Sequence, residues 1–287
     1  MAAELVKLLF TRVEKDARDN LLAMLYAWAG KHEQSQLART AIQLFGVAID
    51  ALGDDGKTAA PTILAVLSGV LEESDELLQQ AEEGGERTME LDTDWQLPYQ
   101  ALQSLAHVYK AFPDLVAPDT RANRQLWQAV RGHLLFPHIW IRTSSARLLG
   151  SLYASSSAFV ASKDLPEDHP LSNVSLLDAA QKGCLQLKSP LLSEALAMQI
   201  VKNLFFAAKC FDARREEDDK VEVVEDGEGE GADEGEERQA DPLRWLFTRL
   251  SYQARTAHTA RPSMHAVTAV RPDPSFSSSP SADSSRS

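Results

Sequence analysis

The stretch LLFPHIWIRTSSARLLGSLYAS, residues 134–155, decides the fold because it contains the turn and the second helix of a helical hairpin. Pro137 lacks a backbone N–H and disfavours the α conformation at Phe136, so a helix that includes Leu134 ends there. A new apolar stripe follows at once, with the i, i+4, i+7, i+8, i+11 spacing of one helical face. Its members are Ile141, Ser145, Leu148, Leu149 and Leu152. Two packed helices are therefore predicted.

Small side chains in the second helix predict a close approach by a neighbouring helix. Ser145, Ala146 and Gly150 are the residues concerned. A glycine inside a helix costs about 1 kcal/mol relative to alanine. Gly150 is therefore better explained by packing than by helix preference.

Apolar stripes of the same kind recur along most of the chain, and each is long enough for one helix of a stacked pair. They run over residues 21–28, 37–52, 63–71, 102–109, 126–134, 141–152, 176–185, 196–211 and 243–250. Gly53 suits the left-handed position after a helix, and Pro61 suits a first helical turn. No stretch alternates apolar and polar residues for long enough to predict a sheet.

Helix pairs at intervals of roughly 40 to 47 residues are typical of HEAT and armadillo arrays, in which each pair buries its apolar face against its neighbours. The predicted fold is all-α: a HEAT-like α-α superhelix. The array spans residues 1–212, and residues 241–260 form its final helix. An irregular helical bundle is the structural alternative, because no residue-for-residue repeat can be written.

The net charge of −13 is concentrated in one segment. Residues 216–237 contain thirteen Asp or Glu and one Lys, which leaves a charge of −1 for the rest of the chain. Such composition predicts a disordered acidic loop over residues 213–240, acting as a spacer or as a screen for a basic surface. A flexible acidic linker is predicted over about 72–94, and a disordered Pro/Ser-rich tail over 261–287.

Composition excludes several classes of protein. The chain has no run of about 18 apolar residues that could cross a membrane, and its charged N-terminal segment does not fit a secretory signal. Cys184 and Cys210 are the two cysteines, each within a predicted helix. This predicts buried thiols in a reducing compartment and no disulfide framework.

Catalytic patterns are absent from the sequence. There is no GxSxG nucleophile elbow and no Walker loop, and the GEGEG run at residues 227–231 would repel phosphate. His133 and His138 are five residues apart without a Cys, Asp or Glu at ligand spacing. We predict no catalytic residue, no metal ligand and no cofactor.

Basic and aromatic residues on predicted second helices are the candidate contacts for RNA or for an acidic partner. They are Trp140, Arg142 and Arg147 in the key hairpin, and Lys202 and Lys209 in the most apolar helix. Second helices line the concave surface of a solenoid, where cations meet phosphates or carboxylates. For Arg142 the competing interpretation is a bond within the array, and for Trp140 packing at the turn is favoured over an exposed anchor.

Three segments together resemble a known family. They are residues 134–155, then LLDAAQKGCLQLKSPLLSEALAMQIVKNLFFAAKCF at 176–211 and DPLRWLFTRLSYQAR at 241–255. In this order they are similar to the C-terminal HEAT region of the U-three small nucleolar RNA-associated protein twenty family, over roughly Trp95 to Ala260. The helices from Leu21 to Gly53 resemble that family more weakly. The resemblance implies a non-catalytic scaffold of the small-subunit processome, acting in pre-rRNA processing and small ribosomal subunit biogenesis in the nucleolus.

The resemblance also implies the partners, which are pre-ribosomal RNA and small-subunit assembly factors within a large ribonucleoprotein, without a membrane or a small-molecule substrate. Family members are many times longer, so this chain is expected to be a C-terminal piece. After Ala260 its Pro/Ser-rich tail departs from the helical, basic sequence of the family. The alternative function is a transport-receptor or phosphatase-scaffold type of helical-repeat protein that binds protein partners.

Overall fold

The computed structural model of the chain describes residues 2–31, 35–83, 95–156, 162, 164–190 and 192–225. Within these ranges the regular structure is entirely helical. The α-helices are α1 Ala2–Arg12, α2 Lys15–Ala29, α3 Ser35–Leu52, α4 Ala60–Glu83, α5 Gln96–Ala111, α6 Pro113–Val116, α7 Arg121–Gly132, α8 Ile139–Ser155, α9 Asn173–Gln186 and α10 Glu194–Glu225. Two 3₁₀ turns, Gly53–Thr58 and His133–Leu135, follow α3 and α7.

Polar side chains at the predicted turns begin several of these helices. The side chains of Thr120 and Ser172 accept hydrogen bonds from the backbone of Asn123 and Ser175, 3.1 Å in each case, and so cap α7 and α9. At the end of α3, Gly53 has a φ of 52°, as predicted for a residue that closes a helix. Phe136 is extended before Pro137, which separates α7 from α8.

The helices pack as hairpins, α2 with α3, α4 with α5, α7 with α8 and α9 with α10. The second helices α3, α5, α8 and α10 pack side by side in chain order and form what we call the B layer. The first helices α2, α4 and α7 pack in the same order, and α9 joins them through the 3₁₀ turn after α7; these four form the A layer. Each hairpin thus rests on the next, which is compatible with the predicted helical solenoid.

The key hairpin buries the side chains that the sequence predicted. All five members of the α8 stripe are buried, and Ile141 and Ser145 are fully inaccessible. The predicted stripe of α10 from Leu196 to Phe211 is buried as well. On α9, however, Leu185 is 56% exposed although it was placed on the buried stripe, because it lies in the last turn of the helix on the side away from the core residue Cys184.

Gly150 lies where α8 meets α10. A Cβ at this position would overlap the side chain of Gln199 and come within 2.9 Å of Asn203. Asn203 in turn donates a 2.9 Å hydrogen bond to the Ala146 carbonyl. The prediction that Gly150 serves packing is therefore confirmed, and the contact sets the spacing of α8 and α10 in the B layer.

Two helices extend into segments that were predicted to be acidic loops. The linker placed at about 72–94 is helical up to Glu83, because Asp75 is buried and bonded to Gln79 while Leu78 packs against the core. Likewise α10 continues past residue 212 to Glu225. Arg214 anchors that continuation by donating 2.8 Å to the Leu171 carbonyl. Adding glutamates to an existing helix costs little, since glutamate is a good helix former.

Several predicted segments lie outside the described residues. They are residues 84–94 of the linker, residues 226–240 of the acidic loop, the final helix at 241–260 and the tail at 261–287. Their assignment stays a prediction. Helix α1, which the sequence patterns did not predict, packs against α3 with Phe10 buried.

Candidate functional site

Four of the five predicted contact residues are exposed on neighbouring helices of the B layer. Trp140 and Arg147 lie seven residues apart on α8, and Lys202 and Lys209 lie seven residues apart on α10. Seven residues are close to two helical turns, so each pair shares one face of its helix. Because α7 and α9 cover these helices from behind, the exposed faces of α8 and α10 form one surface.

A groove crosses this surface between α5, α8 and the start of α10. Its side walls include Tyr99 and Gln103 from α5, and Trp140 and Arg147 from α8, while Ser193 and Ala195 close the third side. The groove has a volume of about 400 Å³. Among the described residues that line it, Arg147 is the only charged one. The groove is therefore aromatic and polar, with a positive charge at its edge.

Aromatic rings at the starts of α5 and α8 support one wall of the groove. Trp95 stacks on His138 with centroids 3.8 Å apart and planes 4° from parallel. Trp140 meets both rings edge-on at 5.3 Å and lies 5.8 Å from Tyr99. Such offset and edge-to-face pairs are the favoured aromatic geometries. The cluster fixes the Trp140 ring while 54% of the residue stays exposed.

Trp140 therefore combines both interpretations that the sequence left open. It packs at the turn, as was favoured, and it is nevertheless an exposed large apolar side chain. His138 helps to fix its backbone, since the Trp140 N–H donates to His138 Nδ1 at 3.3 Å. Burial, and secondly the positive charge of Arg142, lower the pKa of His138, so its ring is neutral and able to accept this bond at pH 7.

Arg142 occupies a different environment from the other predicted cations. It is half-buried, and its Nε and Nη2 have no hydrogen-bond partner among the described residues. Burial lowers the pKa of its guanidinium. The competing expectation of a bond within the array is thus not met in the described part of the chain. Contact of Arg142 with RNA or an acidic partner stays a prediction.

On α10 the exposed face carries apolar side chains between its two lysines. Met198 is 55% exposed and Phe205 is 68% exposed, and they alternate with Lys202 and Lys209 along the helix. Arg214, further along the same helix, is buried and bonded to Leu171 and Asn173. Among the side chains of α10 that the structure describes, the exposed positive charge therefore rests on the two lysines.

A polar bond joins α5 to α8 at the groove, and two others lie within α8. Gln103 of α5 donates a 2.8 Å hydrogen bond to Ser144 Oγ of α8, and Ser144 Oγ itself donates 2.9 Å to the Trp140 carbonyl. Thr143 Oγ1 donates in the same way to the Ile139 carbonyl at 2.8 Å. Because the hydroxyl protons of Thr143 and Ser144 are used in these bonds, the two hydroxyl oxygens present acceptor lone pairs. The guanidinium of Arg147 presents hydrogen-bond donors.

The residues examined for other chemistry show structural roles. His133 is fully buried, with Nδ1 2.7 Å from the Ala129 carbonyl and Nε2 3.1 Å from Ser74 Oγ. Cys184 and Cys210 are both buried, and burial raises the pKa of the Cys210 thiol to about 11, which makes it unreactive at neutral pH.

Two further features are absent from the described ranges. They contain no cluster of three His, Cys, Asp or Glu side chains able to hold a metal ion. In the same ranges, no helix has the length and apolar character needed to cross a membrane.

The chain is similar to part of a much longer protein. U3 small nucleolar RNA-associated protein 20 of Schizosaccharomyces pombe is 28% identical to it over 223 residues. This similarity supports a relationship of the chain to the family of U3 small nucleolar RNA-associated protein 20. The match covers 76% of this chain and 8% of the relative, so the chain spans a small part of the relative's length. No family model matches the chain, and no solved structure matches it.

The extent of this match exceeds the region of resemblance identified from the sequence. A match of 223 residues is longer than the stretch from Trp95 to Ala260, so it includes part of the chain outside that stretch. It does not assign the chain to the C-terminal HEAT region of such a protein.

Sequence reasoning missed the residues that complete the groove, namely Trp95, Tyr99, Gln103 and His138. A signal for them was present, because aromatic residues mark the starts of both α5 and α8. Trp95 and Tyr99 are four residues apart and therefore share a helical face. Only the pairing of α5 with α8, more than forty residues further along the chain, shows that these rings meet.

Proposed function

We propose that the chain is a non-catalytic scaffold component of the small-subunit processome that acts in pre-rRNA processing and small ribosomal subunit biogenesis. The observation that carries this proposal is the similarity over 223 residues to a U3 small nucleolar RNA-associated protein. Its partners are pre-ribosomal RNA and small-subunit assembly factors in the nucleolus. We further propose that it corresponds to C-terminal HEAT repeats of such a scaffold, arranged as a superhelix.

The architecture supports a scaffold. Stacked hairpins present long side-by-side helices whose exposed faces can contact extended partners. The faces of α8 and α10 expose Arg147, Lys202 and Lys209, and none of these cations has an ion-pair partner in the described part of the chain. Although the chain has a net charge of −13, cations without an ion-pair partner attract phosphate locally.

The test is affinity purification of the tagged full chain from nuclear extract, followed by sequencing of the bound RNA and identification of the bound proteins. We expect enrichment of pre-ribosomal RNA and small-subunit assembly factors over an unrelated tagged helical-repeat protein. Recovery of transport factors or phosphatase subunits without pre-ribosomal RNA would overturn the proposal. Such recovery would favour the alternative class of helical-repeat protein, which the comparison does not favour.

A further inference from the structure

We propose that the groove between α5, α8 and the start of α10 is a stacking site for an unpaired base of single-stranded RNA, with Arg147 on an adjacent phosphate. The assignment of RNA rests on the proposed function. The assignment of the site rests on the geometry of the groove.

The first argument is the presentation of Trp140. A tryptophan that is 54% exposed costs free energy through its hydrated apolar surface, yet the ring contacts of Trp95, Tyr99 and His138 hold it in one orientation. A fixed aromatic ring loses little conformational entropy when a base stacks on it. Stacking on aromatic side chains is the way in which proteins bind unpaired bases without reading their sequence.

The second argument is the charge at the groove. Arg147 is its single charged residue among those described, and it is exposed without an ion-pair partner there. Lys202 and Lys209 continue the positive charge along α10, about 10 Å apart along the helix axis. A nucleotide bound with its base on Trp140 would place a phosphate near Arg147, and the following nucleotides of the strand would run along α10 toward Lys202 and Lys209. Glu194, an exposed acid of the first turn of α10, does not line the groove.

The third argument concerns specificity. Gln103 Nε2 uses one of its two N–H groups, and Thr143 and Ser144 use their hydroxyl protons, in bonds within the protein. Stacking on Trp140 needs only the face of a base, which all four bases have. We therefore expect the site to tolerate all four bases, with preferences set by stacking strength.

The experiment measures binding of the full chain to a fluorescein-labelled single-stranded RNA of about ten nucleotides by fluorescence anisotropy. We expect Trp140→Ala to weaken binding about ten-fold or more, and Trp140→Phe, which keeps a ring, to restore much of the loss. The matched control is Leu185→Ala, which truncates a similarly exposed apolar side chain on the A layer and should change affinity by less than about two-fold.

Salt dependence separates stacking from charge. Arg147→Ala should reduce the slope of log affinity against log salt by about 0.7, the value for one phosphate contact on a single strand. Trp140→Ala should leave that slope unchanged. If the single variant Trp140→Ala changed the salt slope, this would indicate a rearranged surface and would count against stacking.

The outcomes distinguish this site from the proposed function. Wild-type binding that Trp140→Ala leaves within about two-fold overturns the stacking site, while the scaffold proposal stands. Absence of RNA binding by the wild-type chain also overturns the site. In that case, recovery of assembly factors in the affinity purification decides whether the scaffold acts through protein contacts alone. Binding of a labelled proline-rich peptide that Trp140→Ala abolishes, without RNA binding, would assign the groove to a peptide instead.

Discussion

The A layer and the B layer use their cations and their tryptophans in opposite ways. In the A layer, Arg124 pairs with Asp168 at 2.8 Å and Arg131 pairs with Asp178 at 2.7 Å. In the B layer, Arg147, Lys202 and Lys209 are exposed without such pairs in the described part of the chain. These two cations of the A layer join α7 to the next hairpin, whereas the three of the B layer have no such partner among the described residues.

The two tryptophans of the α7–α8 hairpin show the same division. Trp127 on α7 is fully buried, donates a 2.9 Å hydrogen bond to the Val116 carbonyl and meets Tyr109 edge-on at 5.6 Å. Trp140 on α8 is 54% exposed at the groove. The two tryptophans of one hairpin thus differ: Trp127 holds neighbouring helices together, and Trp140 lies at the surface that we propose for binding.

The largest expected effect on stability is that of Trp127→Ala. Removing a fully buried indole leaves a cavity and an unpaired carbonyl at Val116, so the free energy of unfolding should fall by about 3–5 kcal/mol. The matched variant Trp140→Ala should cost about 1 kcal/mol or less, since it loses only ring contacts at the surface. Urea denaturation of both variants measures the difference. Equal losses of unfolding free energy in the two variants would contradict the proposed difference between the layers.

A smaller loss is expected when an ion pair of the A layer is opened. Asp178 forms an ion pair with Arg131 at 2.7 Å and also lies 3.0 Å from Lys182 Nζ, so Asp178→Ala leaves two neighbouring cations, of which Arg131 is largely buried. We expect a loss of about 1–3 kcal/mol in denaturation experiments. Asp212→Ala, which removes an exposed acid from α10, should change stability by less than about 0.5 kcal/mol. A larger loss of stability in Asp212→Ala than in Asp178→Ala would contradict a stabilising role for the Asp178 ion pairs.

Acidification should weaken the A layer through His133. Burial lowers the pKa of His133 in the folded chain below its ordinary value, so protonation favours the unfolded chain. Its contribution to stability is complete above about pH 6.5 and is lost as the pH falls, by about 1 kcal/mol between pH 6.5 and 5.5. The His133→Gln variant should show a shallower decline over this interval. An unchanged pH dependence in that variant would show that other groups control acid unfolding.

The smallest effect on stability is expected for Arg142→Met. Removing a half-buried guanidinium whose Nε and Nη2 lack described acceptors should leave the stability unchanged or raise it by about 1 kcal/mol. Recovery of anionic partners should nevertheless fall. Thermal unfolding and partner recovery are measured on the same sample. A marked loss of stability would mean that Arg142 has a structural role like that of Arg131.

Local patterns predicted the helical fold well because its hairpins are short-range structures. Pro137 and Gly53 fall at the predicted helix ends, and the whole α8 stripe is buried. The ends of the acidic stretches were misplaced, since composition alone does not show that Asp75 is buried or that Arg214 anchors the end of α10.

The candidate site was predicted only in part, because its residues come from different hairpins. Trp140 and Arg147 were identified from the sequence, and both line the groove. Tyr99 and Trp95 were not, since their approach to Trp140 depends on how α5 lies against α8. Single-helix periodicity shows which face of a helix is buried, but it does not show which exposed residues of two helices become neighbours.

The most direct test of the binding role of the B layer is a charge reversal in each layer, assayed by recovery of pre-ribosomal RNA with the tagged chain from nuclear extract. The B-layer variant combines Arg147→Glu, Lys202→Glu and Lys209→Glu. The A-layer control combines Lys15→Glu, Arg121→Glu and Lys188→Glu, exposed cations on or beside α2, α7 and α9. We predict that the B-layer variant loses the RNA while the control, of equal net charge, retains it. Equal recovery by the two variants, or loss only in the control, would contradict the assignment of binding to the B layer.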